Sequence, residues 1–132
     1  MAVIVTDNKS CYSYYKPESR WLRSAFRGIV NFEMIKEHLK NGQKFSEDHE
    51  ICGALVDIKT FRGSSYKLFE FLEHVAYPKL ISRGLNTQAS IISDDLLIAH
   101  VTEKLMAVFK RLNITAKVFT DIEEGRTWLK EN

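Results

Sequence analysis

"HEICGALVDI", His49 to Ile58, is a nearly continuous apolar run of strand length. A strand with one wet face alternates apolar and polar residues. A run that does not alternate fits a strand buried on both faces, as in a parallel or mixed sheet covered by helices. On that reading, helices and further strands must flank it in turn.

Downstream, "SSYKLFEFLEHVAYPKLISRG" (Ser64–Gly84) sets Leu68, Leu72, Val75, Ala76 and Leu80 on one helical stripe. Pro78 is expected to kink this helix and Gly84 to end it. "NTQASIISDD" (Asn86–Asp95) reads as a strand centred on Ala89, Ile91 and Ile92. "DDLLIAHVTEKLMAVFKRLN" (Asp94–Asn113) follows as a helix with Leu97, Val101, Leu105, Val108, Phe109 and Leu112 inward. Asp94 or Asp95 suits its start, and Lys110 and Arg111 suit its C-terminal dipole. "TAKVFTD" (Thr115–Asp121) is the last strand, and "DIEEGRTWLKEN" (Asp121–Asn132) a short helix burying Ile122, Trp128 and Leu129.

Upstream, "NFEMIKEHLKNGQKF" (Asn31–Phe45) keeps Met34, Ile35, His38 and Leu39 at helical spacing, with Asn31 as cap and Gly42 as stop. "CYSYYKPESRWLRSAFRG" (Cys11–Gly28) reads as a hairpin turning at Pro17-Glu18-Ser19. The order is a hairpin followed by alternating helices and strands, with right-handed crossovers. It implies one α/β domain over residues 1–132, with a mixed, mostly parallel sheet of about five strands and four helices.

Composition narrows the function classes. Nineteen basic and 17 acidic side chains give a net charge of +2, too balanced for nucleic-acid or membrane binding by charge alone. No apolar run reaches the ~20 residues of a membrane span, and "MAVIVTDNKS" lacks the basic start and apolar length of a signal peptide. Cys11 and Cys52 make neither a disulfide framework nor a metal motif, so a reducing cytoplasm is the simplest setting. Cys52 is expected as a small core residue. His38, His49, His74 and His100 have no metal-ligand spacing, and His38 and His100 are expected at the margins of helical stripes. No catalytic motif, metal site or cofactor is expected.

The junction "VDIKTFRGSSYKLF" (Val56–Phe69) draws together the polar candidates. Asp57 ends the central strand, where ligands of open α/β sheets bind. Ser93 and Thr120 would share its rim. Receiver-type phosphoacceptor chemistry would also need a lysine ending the last strand, where Thr120 and Asp121 stand. Ser64 and Ser65 sit at a helix start, where a serine oxygen accepts a backbone N–H worth ~1 kcal/mol. A phosphate or other anion would be favoured at the same place, with Arg62 and Lys67 beside it. Gly63-Ser64-Ser65 without a Walker lysine is not a nucleotide loop. Phe69 and Phe71 diverge on their helix and widen its apolar face, which admits a lipophilic cavity or a homodimer contact. Trp21 and the tyrosines of the first hairpin strand suggest an exposed aromatic patch.

These elements together resemble the STAS domain of anti-sigma factor antagonists, and more closely the SpoIIAA-like (STAS/SEC14-type) family. "ALVDI" with its loop and helix is similar to the family's central segment, and "ITAKVFTDIEEGRTWLKEN" to its closing strand and helix. The antagonists carry Asp-Ser-Ser-Gly at this junction, and a partner kinase phosphorylates the second serine. The resemblance places Ser65 at that serine. Gly63 stands where the acid would be and Tyr66 where the glycine would be.

The expectation is a non-enzymatic regulatory or protein-interaction module. Its working surface would be Asp57, Arg62, Gly63, Ser64, Ser65, Tyr66 and Lys67, with Ser65 as candidate phosphoacceptor. The alternative is a carrier or sensor of a small lipophilic ligand held between helices and sheet. A protein partner is expected, and neither nucleic acid nor a membrane span.

Overall fold

A computed structural model describes residues 2–29, 31–60, 66–94 and 96–132; at Tyr66 and residues 96–99 it describes the backbone alone. The apolar run forms β4 (Gly53–Asp57), and Gly53, Ala54 and Leu55 are buried, as its lack of alternation required. β4 pairs in parallel with β3 (Trp21–Phe26) and β5 (Thr87–Ile91), and β6 (Thr115–Phe119) continues in parallel beyond β5. On the other side, β2 (Cys11–Lys16) lies antiparallel to β3, and β1 (Val3–Asp7) antiparallel to β2. Among the described residues the sheet has six strands in chain order.

The helices are α1 (Phe32–Phe45), α2 (Tyr66–Phe71), α3 (Tyr77–Ser82), α4 (Leu96–Arg111) and α5 (Ile122–Glu131). A π-helical stretch, Leu72–Ala76, joins α2 to α3 in one rod. Strand alternation divides the core in two. Tyr15, Leu22, Ala54 and Leu72 belong to the larger cluster, under α1, the rod and α4. Trp21, Leu55, Ala89, Ile91 and Leu129 form the smaller one, under α5.

Several sequence expectations change. The sheet has six strands rather than about five, because "VIVTD" pairs as an edge strand with a bulge between Ile4 and Thr6. Gly42 does not stop α1. The helix continues to Phe45, and Gly42 is buried against Leu22. Asn31 does cap it, its Oδ1 accepting the Met34 N–H at 2.9 Å. The helix is interrupted before Pro78 by a π turn. Pro78 lies in the first turn of α3, and the missing donor is accommodated by the wider π turn, in which the Tyr77 N–H reaches back to the Leu72 carbonyl. The wider turn also changes the phase of the stripe. Leu68, Leu72, Ala76 and Leu80 are buried, whereas Val75 is 40% exposed. Cys52 precedes β4 and is half-buried at the edge of the smaller cluster; the fully buried cysteine is Cys11. Trp21 and Tyr15 are buried too, so of the expected aromatic patch only Tyr12 and Tyr14 reach the surface, and both are half-buried. Asp95 and the side chain of Leu97 lie outside the described residues.

Candidate functional site: a cavity under the helical rod

Strand β5 has two kinds of buried residue. Thr87, Ala89 and Ile91 face α5, and Gln88 and Ser90 face the rod. Polar side chains there must be paired, and they pair with one another. Tyr77 Oη donates to Gln88 Oε1 at 3.0 Å, and Gln88 Nε2 donates to Ser90 Oγ at 3.2 Å. Burial raises the Tyr77 phenol to about 12, so it is a neutral donor.

This polar row lines one wall of a cavity of about 100 Å³ between sheet and helices. The rest of the wall is apolar: Val56 and Ile58 from the central strand and its exit, Leu68 and Leu72 from the rod, and Val101 and Leu105 from α4. The rod is held to α4 by Arg111, whose Nε lies 3.0 Å from both Glu73 carboxylate oxygens. The row ends at the Ser90 hydroxyl, which accepts from Gln88.

His38 also lines the cavity, and it is 4% exposed rather than at a stripe's margin. Its Nδ1 is 3.1 Å from Thr6 Oγ1 and its Nε2 3.1 Å from Ser24 Oγ. Asn41 Nδ2 donates to Thr6 Oγ1, so the threonine hydroxyl links α1 to β1 through both Asn41 and His38. Burial lowers the ring from its ordinary 6.5 to about 4, so it is neutral at pH 7. His38 thus ties α1 to β1 and β3, and both its nitrogens are occupied.

The residues singled out from sequence are placed next to this cavity in the chain. Asp57 ends β4, and its Oδ1 accepts the Lys59 N–H at 3.0 Å, a local turn contact. Lys67 is exposed in the first turn of α2, which begins at Tyr66. Arg62, Gly63, Ser64 and Ser65 lie outside the described residues. Ser93 and Thr120 follow β5 and β6, on the rim at which Asp57 ends β4. Gln88 and Ser90 were not singled out, since polar residues alternating with apolar ones read as a wet strand face.

Sequence comparison with family models gives no match, and neither does comparison with curated proteins. Structure comparison does give matches. The crystal structure of an uncharacterised protein of the DUF3478 family from Shewanella loihica PV-4, described as having a SpoIIAA-like fold, aligns over 98% of this chain and 92% of its own. The TM-score is 0.50 and the identity 17%. This chain has a SpoIIAA-like fold. At that identity the likeness is one of architecture, and it accords with the mixed sheet and helical layer described above. Among the described residues of this SpoIIAA-like chain, no helix is long and apolar enough to cross a membrane, and no cluster of histidine, cysteine and acidic groups is arranged to hold a metal.

Proposed function

We propose that this SpoIIAA-like chain is a non-enzymatic sensor module that takes a small apolar ligand under its helical rod and answers through a protein contact at residues 57–67. The observation that carries the reading is that one helix serves both places. Leu68 and Phe69 line the cavity, and they follow the Asp57–Lys67 segment directly.

The cavity's size sets the mechanism. An apolar cavity of about 150 Å³ takes up benzene, so about 100 Å³ accepts roughly four carbons as it stands. A larger ligand displaces the rod, and with it the start of α2. The row of Tyr77, Gln88 and Ser90 favours a ligand with one hydrogen-bonding group on an apolar body. Neither His38, with both nitrogens engaged, nor Tyr77, held protonated, supplies a base to the cavity, which is why the reading is a binding one.

Native mass spectrometry of the protein purified from its own host tests the ligand half, together with an amide NMR titration with 1-butanol. A co-purifying small apolar mass, and shifts centred on Leu72, Tyr77 and Ser90, are expected. No bound mass and no shifts there would sink it. The interaction half predicts that Ser65→Asp alters capture of a host partner without unfolding the chain; unchanged capture counts against it.

A further inference from the structure

On the sheet face away from the cavity, α5 packs over β4, β5 and β6. Beside it, Tyr12 and Tyr14 of β2 and Arg23 of β3 stand half-buried, in register as Tyr12 opposite Ala25 and Tyr14 opposite Arg23. With Asp57, Ile122 and Arg126 they line a cleft of about 180 Å³. Arg23 lies near two rings: its guanidinium carbon is 5.2 Å from the centre of the Trp21 ring and 5.7 Å from that of Tyr14. Those contacts fix its direction.

Arg23 lacks an acceptor. Its Nε is buried without a hydrogen-bond partner, and among the described residues no carboxylate forms an ion pair with it. A guanidinium fork positioned by aromatic rings with its donors unspent is complementary to a planar oxyanion. The other charges on the wall are Arg126, which is shared with Glu123, and Asp57. The Asp57 carboxylate accepts the Lys59 N–H at 3.0 Å and lies 3.8 Å from Lys59 Nζ, so its charge is drawn outward. The wall is net positive, and the Tyr12 and Tyr14 rings, 5.7 Å apart between centres and tilted 45° to each other, with Arg27 over Tyr12, give it an aromatic side.

We infer that this cleft binds a small aromatic carboxylate, with the carboxylate on Arg23, assisted by Arg126, and the ring against Tyr12 and Tyr14. Benzene fits a cavity of about 150 Å³, so about 180 Å³ suits a single ring with its carboxylate. The site lies across the sheet from the sensor cavity and does not depend on it.

The test is an amide NMR titration of the full chain with benzoate, cyclohexanecarboxylate and benzyl alcohol. Benzoate is expected to bind tightest, with shifts concentrated at Tyr12, Tyr14, Arg23 and Arg126. Arg23→Gln should weaken benzoate roughly ten- to a hundredfold, the range for hydrogen bonds to a charged group. Tyr14→Leu, which leaves the charge in place, should make the two carboxylates bind alike. Circular dichroism of each variant reports the fold. If Arg23→Gln is unfolded, Arg23→Lys replaces it, and loss of the planar fork should still weaken benzoate. Benzoate shifts scattered over other basic side chains, no saturable shift, or a folded Arg23 variant that binds as the parent does would overturn the inference.

Discussion

Burial of a neutral histidine leaves a pH signature. His38 titrates at about 4 in the folded chain and at about 6.5 once unfolded. Above 6.5 neither state is protonated and the ring adds no pH dependence. As pH falls below 6.5 the unfolded chain takes up the proton first, so stability drops with falling pH until the folded ring also titrates near 4. At about 1.4 kcal/mol per pH unit, the full span is about 3 kcal/mol. Urea midpoints of the parent and of His38→Gln should therefore diverge in slope between pH 6.5 and 5, where few carboxylates titrate, the variant losing less stability on acidification. Parallel slopes would mean that the ring is not buried neutral. The role of His38 was hidden in the sequence for a physical reason. Helical spacing places it near the stripe of Met34, Ile35 and Leu39, but its partners Thr6 and Ser24 are 32 and 14 residues away. Local periodicity carries no information about them.

At the scale of elements, the sequence is most legible where one period runs unbroken. The unalternating run at β4, the Val108–Phe109 part of the α4 stripe and the Asn31 cap all follow from spacing and hold in the structure. It is least legible where the period changes inside an element. Leu68, Leu72, Ala76 and Leu80 recur every fourth residue, which drifts off the face of a regular α-helix. The π turn at Leu72–Ala76 has more residues per turn and returns them to one face. The geometry distinguishes two neighbours that the stripe had placed together. Val75→Lys should be within about 0.5 kcal/mol of the parent, as for an exposed site. Ala76→Leu, at a position with 0% exposure, should cost about 1–3 kcal/mol through overpacking. Chemical denaturation of the two variants decides it, and equal losses would rule out the shifted phase. β1 is short, but the β-branched Val3, Ile4 and Val5, followed by Asp7, Asn8 and Ser10, carry a strand-and-turn signal.

For the whole molecule, the mixed α/β architecture was legible because helices alternate with strands along the chain, and strands successive in the chain lie side by side in the sheet. The sequence admits a lipophilic cavity between helices and sheet but not its size or lining, because these depend on how three helical segments fail to fill the space over one sheet face. That difference also separates the stability of the fold from the proposed sensing. A void lined by Val56, Leu72 and Leu105 forgoes contacts that a larger side chain would make. Val56→Leu adds one methylene toward it, worth about 0.8 kcal/mol of burial if the site accepts it without strain. The variant should thus be more stable than the parent, by about 0.5–1 kcal/mol in urea denaturation. In the same protein, the 1-butanol shifts at Tyr77 and Ser90 should weaken or vanish, since the added methylene occupies the ligand's space. Stability and uptake moving in opposite directions would mark a cavity kept open for a ligand. A Val56→Leu chain that is destabilised and still takes up 1-butanol would mean that the gap is packing slack and that the ligand enters elsewhere.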